Sequence, residues 1–281
     1  MLRTDLARRD TANDQATDLL RQQAGHPLRF TLLGPLEILH HGRDCAPTAP
    51  KMLQLLAMLL LRAGRVVQSD ALVEELWADA PPPSVRTTLQ TYVYQVRKLI
   101  EREGIALDAD RLLLTKAPGY QLAIDPMQVD VFVFRQLCHQ GRQALHEQRH
   151  QEAASTLRAA LSLWSGPPIA NVECGPRLTA DAVELYEQKR NAHHLRIQAE
   201  MAAGMHRELI GELKALVTDN PLDEGLHAQL IQVLDRSGRR SEALEAYRSL
   251  RKTLNTELGL EPSSELQQLH HELLSAGVPV R

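Results

Sequence analysis

The chain has 281 residues, 43% hydrophobic and 24% charged, with a formal net charge of −3. That is enough apolar mass for two ordinary domains. It is too little positive charge for the whole chain to act as a polycation, so any attraction to nucleic acid must come from local clustering. Three cysteines, Cys45, Cys138 and Cys174, have no C-x-x-C spacing, and the longest apolar run is Leu55 to Leu61. These features exclude a disulfide framework and a bilayer-spanning helix. Asp5, Arg8, Arg9 and Asp10 interrupt any signal-peptide core. The expectation is a cytoplasmic, nucleoid-associated protein without membrane partners.

Residues 1–26 are polar and balanced in charge, and read as a mobile N-terminal extension. A weak helix over Asp14 to Ala24 is expected to have nothing to bury it. From Arg29 the period changes. RFTLLG and PLEIL are short strands, and HHGRD is a tight turn. Pro50 precedes a helix over Lys51 to Ala63, which Gly64 ends. Val66-Val67 is extended. Ser69 is positioned to cap a short helix with Leu72, Val73, Leu76 and Trp77 inside. Asp79 to Pro83 then stiffens a turn, and Ser84 can cap the helix that follows.

That helix, Ser84 to Ile100, has two unlike faces. Val85, Leu89, Tyr92, Val93, Val96, Leu99 and Ile100 form an apolar stripe at helical spacing. Opposite lie Arg86, Thr87, Gln90, Thr91, Tyr94, Arg97 and Lys98, with no carboxylate among them. Such a face can donate to base edges and phosphates and repels neither. Beyond Gly104, LLLT (Leu112 to Thr115), the turn KAPG and YQLAI make a β-hairpin, its turn fixed by Pro118-Gly119. The order is small sheet, three helices, hairpin. It predicts a winged helix-turn-helix over 27–125 whose wing is the hairpin.

From 126 to 281 the strand signals stop and an all-α domain is expected. Asp130 caps a helix reaching about Gln148. Others cover about Gln151–Leu163, Thr179–Ala203, Arg207–Asp219, Glu224–Ser237, Ser241–Leu258 and Ser264–Leu274. HQEAASTLRAAL, HRELIGELKALV and RSEALEAYRSL begin at His150, His206 and Arg240. Each has a basic residue, one intervening residue, Glu and then an apolar pattern. The last two starts lie 34 residues apart, the tetratricopeptide period. The fold class is therefore mostly α with a small β component, a winged helix followed by tetratricopeptide-like helix pairs.

Taken together, LRFTLLGPLEIL, KMLQLLAMLLLRAGRVV, LVEELWADAPP, TLQTYVYQVRKLIE, APGYQL, ALSLWSGPP and EALEAYRSLRKTLNTELGLEPSSELQQL resemble the Streptomyces antibiotic regulatory proteins over about Leu28 to Leu274. These combine an OmpR-type winged helix with a bacterial transcriptional activation domain. The resemblance implies an activator of a biosynthetic gene cluster that binds direct repeats upstream of promoters. It also implies recruitment of RNA polymerase holoenzyme through its sigma and alpha subunits, and two copies side by side on DNA. The extension 1–26 departs from compact members. No G-x-x-x-x-G-K-[ST] occurs, so the ATPase portion of larger members is not found here.

The bland reading of the polar face is a solvated surface, with Arg97 and Lys98 answering the helix dipole. The adjoining wing favours DNA contact instead. Arg86 and Thr87 sit in the first turn, where backbone N–H groups can also hold a phosphate. Thr115 and Lys116 are wing contacts, or an exposed hairpin tip. Lys51 is a weaker phosphate candidate. The adjacent histidine pairs 40-41, 193-194 and 270-271 point apart, and no ligand spacing suggests a metal. No nucleophile has a base partner, so no catalysis and no cofactor are expected. Two rivals remain: a tetratricopeptide-type adaptor, favoured by the neutral N-terminal domain, and a repressor using the same DNA contacts.

Overall fold

The computed structural model describes residues 16, 18–21, 25–78 and 80–275. It divides into two compact units, residues 1–140 with 155–192, and 141–154 with 193–281. The sequence reading divides the chain at 125/126. The packing instead joins 126–140 and 155–192 to the winged helix.

In the first unit, β1 (Leu28–Thr31), β2 (Glu37–His40) and β3 (Arg43–Asp44) form an antiparallel sheet in the order β1-β2-β3. His40 pairs with Arg43, so the turn is His41-Gly42, at φ 50° and 82°. Positive φ at both central residues matches the twist a two-residue hairpin needs. Three helices follow: α1 (Pro50–Leu60), α2 (Ser69–Trp77) and α3 (Val85–Arg102). Between them β4 (Val66–Gln68) enters a second antiparallel sheet, in the order β4-β6-β5. Its other strands are β5 (Leu113–Lys116) and β6 (Gly119–Leu122), preceded by a short helix α4 (Ala109–Leu112). Leu55, Leu59 and Leu60 of α1, Leu72 and Leu76 of α2, Val96 of α3 and Leu113 of β5 fill the core.

Several caps differ from the sequence reading. Gln68, not Ser69, is the N-cap of α2, and the Ser69 N–H donates to Pro118 O at 3.1 Å. Ser84 caps α3 through its backbone alone, with no side-chain bond. The extension is also partly corrected. Residues 1–15, 17 and 22–24 lie outside the described residues, but Ala16 is buried in the first unit's core and Leu19 and Leu20 pack on it. Their i, i+3, i+4 spacing makes one apolar edge, which the polar composition around it conceals.

Two buried carboxylates bind the later segments to the winged helix. Asp130 opens α5 (Asp130–His146). The sequence reading has it cap that helix, but its Oδ1 accepts from Leu32 N, and its Oδ2 from Leu32 N and Leu33 N, each at 2.9 Å. Glu75 near the end of α2 accepts from Gly175, Arg177 and Leu178 N at 2.6, 2.8 and 3.0 Å. It thereby satisfies the open start of α7 (Pro176–Ala202). A Cβ on Gly175 would sit 2.2 Å from Glu75 O, so the close approach requires glycine. Asn171 clasps Leu36, accepting from its N at 2.7 Å and donating to its O at 3.1 Å. Arg62 pairs with Asp181 at 3.0 Å.

The second unit takes the ends of α5, of α6 (His150–Leu161) and of α7. It continues with α8 (His206–Asp219), α9 (Glu224–Arg236), α10 (Arg240–Leu258) and α11 (Ser264–Ser275). The three repeat starts read from the sequence are the first residues of α6, α8 and α10. Leu213, Ile231, Leu234, Ala243, Leu250 and Leu266 build its core, and Gly238 at φ 75° turns the chain between α9 and α10. The buried Arg196 guanidinium pairs with Glu200 at 2.9 Å and with Glu212.

Burial pushes the Asp130 carboxyl up to about 7, against the pull of the Leu33, Leu32 and Val131 amides. Between the ordinary Asp range and about 7 the folded chain holds a proton that the unfolded chain has released. This group therefore favours the fold at low pH and loses that contribution as pH rises through about 7. Asp130→Asn cannot titrate. Urea unfolding at intervals from about pH 4 to about pH 7 should show the wild type losing about 1.4 kcal/mol per pH unit relative to the variant. Parallel curves would contradict the assignment.

Candidate nucleic-acid interface

The interface begins with the way α3 is seated. Leu89, Val93, Val96, Leu99 and Ile100 are buried, and Tyr92 packs near Trp77 of α2, with ring centroids 6.1 Å apart. At about 100° per residue the remaining arc has an order. It runs from Arg97 and Arg86 at the wing edge, through Gln90, Glu101, Tyr94, Thr87, Lys98 and Thr91, to Arg102 and Gln95 at the far edge. Arg86, Thr87, Gln90, Thr91, Tyr94 and Lys98 are all exposed. Tyr94 is 58% exposed, its ring and hydroxyl open to solvent. The structure therefore brings six of the ten sequence-predicted site residues onto one open strip.

Within the strip the polar groups already have local bonds. The Thr91 hydroxyl donates to Thr87 O at 3.0 Å. The Lys98 ammonium lies 5.6 Å from the Tyr94 ring centroid and 2.9 Å from Glu101. Its hydrogen bond to Glu101 raises its pKa, so it stays charged. Glu101 lies one residue past the stretch read as free of carboxylates, yet it is exposed within the same arc, so the strip carries one carboxylate.

Arg97 and Lys51 are placed differently from the other eight. Arg97 is only 22% exposed in its side chain. Its Nε and an Nη donate to Leu113 O at 3.1 and 2.7 Å, the same Nη donates to Thr115 Oγ1 at 2.9 Å, and Nε lies 2.9 Å from Asp110. Its Nε and one Nη are committed to the wing and to Asp110 of α4. Lys51 donates to Leu76 O and to Gln54 Oε1, so its charge answers the carbonyl end of α2. Spacing along the chain could not show this, because Leu113 and Thr115 for Arg97, and Leu76 for Lys51, come from other elements.

The wing stands beside the wing edge of α3. Thr115 and Lys116 are exposed, and Lys116 pairs with Gly119 across the two-residue loop. A Cβ at Gly119 would fall 1.9 Å from Val67 O, so the tip can close on β4 only with glycine there. Arg111, 88% exposed and paired with Asp108 at 3.0 Å, adds a cation at the foot of the wing. Sequence reasoning passed over Arg111, Gln95 and Arg102. Arg102 could have been found by carrying the helix beyond Ile100, and Gln95 by widening the polar arc within it. Among the described residues no group of three or more His, Cys, Asp or Glu could hold a metal ion, and no helix is long and apolar enough to cross a membrane.

A helix-turn-helix with an exposed polar second helix and a braced β-wing, followed by paired helices, defines a winged-helix transcriptional regulator. Comparison with known proteins agrees. Residues 44–134 match the family described as "Transcriptional regulatory protein, C terminal", and residues 129–274 match "Bacterial transcriptional activator domain". The chain is 40% identical over 255 residues to regulatory protein DnrI of Streptomyces peucetius, covering 89% of this chain and 93% of that one. It is 33% identical to regulatory protein AfsR of Streptomyces coelicolor, covering 89% of this chain and 24% of that one. The solved structure titled "Mycobacterium tuberculosis EmbR in complex with low affinity phosphopeptide" matches with a TM-score of 0.83 at 35% identity, over 91% of this chain and 66% of that one. The chain thus spans about two thirds of EmbR and a quarter of AfsR. It belongs to the Streptomyces antibiotic regulatory protein family of DNA-binding transcriptional regulators, a non-enzymatic family.

The seating of Arg97 predicts a stability difference between neighbouring residues. Arg97→Ala leaves the half-buried Leu113 carbonyl without its charged donors and should lower unfolding free energy by about 1.5–3 kcal/mol. Lys98→Ala removes an exposed pair and should leave the unfolding midpoint unchanged. Thermal and urea unfolding of both variants measure this.

Proposed function

We propose that the protein activates transcription of a secondary-metabolite, antibiotic-type gene cluster by binding direct repeats upstream of its promoters. Two copies bind side by side and engage RNA polymerase holoenzyme through its sigma and alpha subunits, in the cytoplasm at the nucleoid. The observation that carries the reading is the open strip of α3 beside the wing. The similarity to DnrI and the match to a bacterial transcriptional activator domain support activation.

In this reading α3 lies in the major groove. Thr87, Gln90 and Thr91 occupy the middle of the arc and read base edges, the Gln90 amide being suited to adenine. Arg86, Lys98 and the Tyr94 hydroxyl hold phosphates, and Thr115 and Lys116 meet the backbone at the wing. Arg97 is a positioning residue that fixes the wing to α3, and Lys51 holds the end of α2. The neutral charge of the winged helix favours the adaptor alternative. The local cations on one arc answer that objection, because phosphate attraction falls off within a Debye length.

Gel shifts on the upstream DNA of neighbouring genes should show a complex whose affinity falls steeply with salt. Lys98→Ala should reduce the slope of log K against log salt by about 0.9. Gln90→Ala should cost about 1–3 kcal/mol on the preferred site alone. Absence of any shift would favour the adaptor. A promoter reporter that falls in the deletion strain distinguishes activation from repression.

A further inference from the structure

The far edge of α3, away from the wing, borders a cleft of about 520 Å³. Its floor is Ala49, Met52 and Leu99, and its rim carries Thr48, Lys98 and Arg102. Tyr94 and Gln95 line it as well, so the cleft is continuous with the strip assigned to the major groove. It faces the start of α1, whose N-cap Ala49 makes no side-chain bond and whose first turn holds no acid.

A B-DNA major groove is about 12 Å wide, and a helix with its side chains spans about 10–12 Å. A helix seated in the groove therefore has a sugar-phosphate backbone against each edge. The wing meets one. On the other edge of α3 lies this cleft. We infer that the Thr48–Arg102 cleft is a cradle for the second sugar-phosphate backbone. The proposal rests on the DNA-binding reading above. In it Arg102 and Lys98 hold phosphates, the Thr48 hydroxyl and the Gln95 amide donate to phosphate oxygens, and the apolar floor packs on deoxyribose.

The local charge fits this occupant. Arg102 is 73% exposed and pairs with Glu103 at 3.0 Å, and Glu103 also pairs with Arg43. Lys98 pairs with Glu101. The Glu103 side chain is only 12% exposed and keeps Arg43 as a second partner, so a phosphate can replace Glu103 at the exposed Arg102 while Arg43 keeps Glu103 compensated. An acidic face on a partner protein would be attracted by the same cations. The continuity with the α3 strip and the width of the duplex decide for the backbone.

The test uses the full chain and a 24-base-pair duplex of arbitrary sequence, followed by fluorescence anisotropy at about 50–200 mM salt. Wild type should bind with a steep salt slope, and no binding at all would overturn the DNA-binding reading itself. Arg102→Ala should weaken binding about three- to tenfold at about 100 mM salt and lower the slope by about 0.9. Arg102→Lys should restore the slope, and Thr48→Val should weaken binding without changing it. With wild type bound, an unchanged slope in Arg102→Ala overturns the cradle. The same unchanged slope with lost reporter activity would assign the cleft to a protein partner, which also overturns it.

Discussion

The carboxylate of Glu75 sits at the point where the reading head is aimed. It is 1% exposed and accepts three backbone N–H groups from the start of α7. Its own carbonyl accepts from Gln54, and the next residue's carbonyl accepts from Lys51. The end of α2 is thus held from two sides just before the chain turns into α3. The beginning of α2 is held at Pro118 of the wing. A helix pinned at both ends leaves the turn after it little freedom, so the direction of α3 follows. A buried acceptor with several amide donors is costly to disturb, since each donor left unpaired carries its own desolvation penalty.

The division of labour on α3 follows from this seating. Three cations along the arc have acidic partners within the protein: Arg97 with Asp110 at the wing edge, Lys98 with Glu101 between the edges, and Arg102 with Glu103 at the far edge. Between the edges, Gln90, Tyr94, Thr87 and Thr91 supply neutral hydroxyls and an amide. The cations suit contacts that every sequence offers, and the neutral groups suit contacts that differ between sequences. The near-zero charge of the winged helix is therefore compatible with specific binding. The ion pairs lower the attraction to DNA at large, while the neutral groups between them stay exposed.

Much of this was legible from spacing. The apolar stripe of α3, the hairpin, and the helix starts at His150, His206 and Arg240 all lie where local periodicity puts them. What spacing could not reveal were bonds between distant segments. Asp130 and Ser69 look like caps because caps are local, yet each is spent on a partner far along the chain. Arg97 lies on the polar arc and still faces the wing, because its reach to Leu113 depends on how the hairpin folds back. Residues 165–175, irregular in the sequence, pair with the Leu32–Leu36 loop through Ser165, Ile169 and Ala170 N–H groups. Only the folded chain shows that this stretch belongs with the first unit.

The Asp130 and Glu75 contacts bear on how such a regulator can be taken apart. Family boundaries fall near residues 129–134, which invites excision of the reading head just before α5. That cut would strip Leu32 and Leu33 of their acceptor and leave the Glu75 carboxylate facing an empty socket. A chimera that moves this head onto another effector must carry the chain through the start of α7. The portable module is longer than its sequence signature.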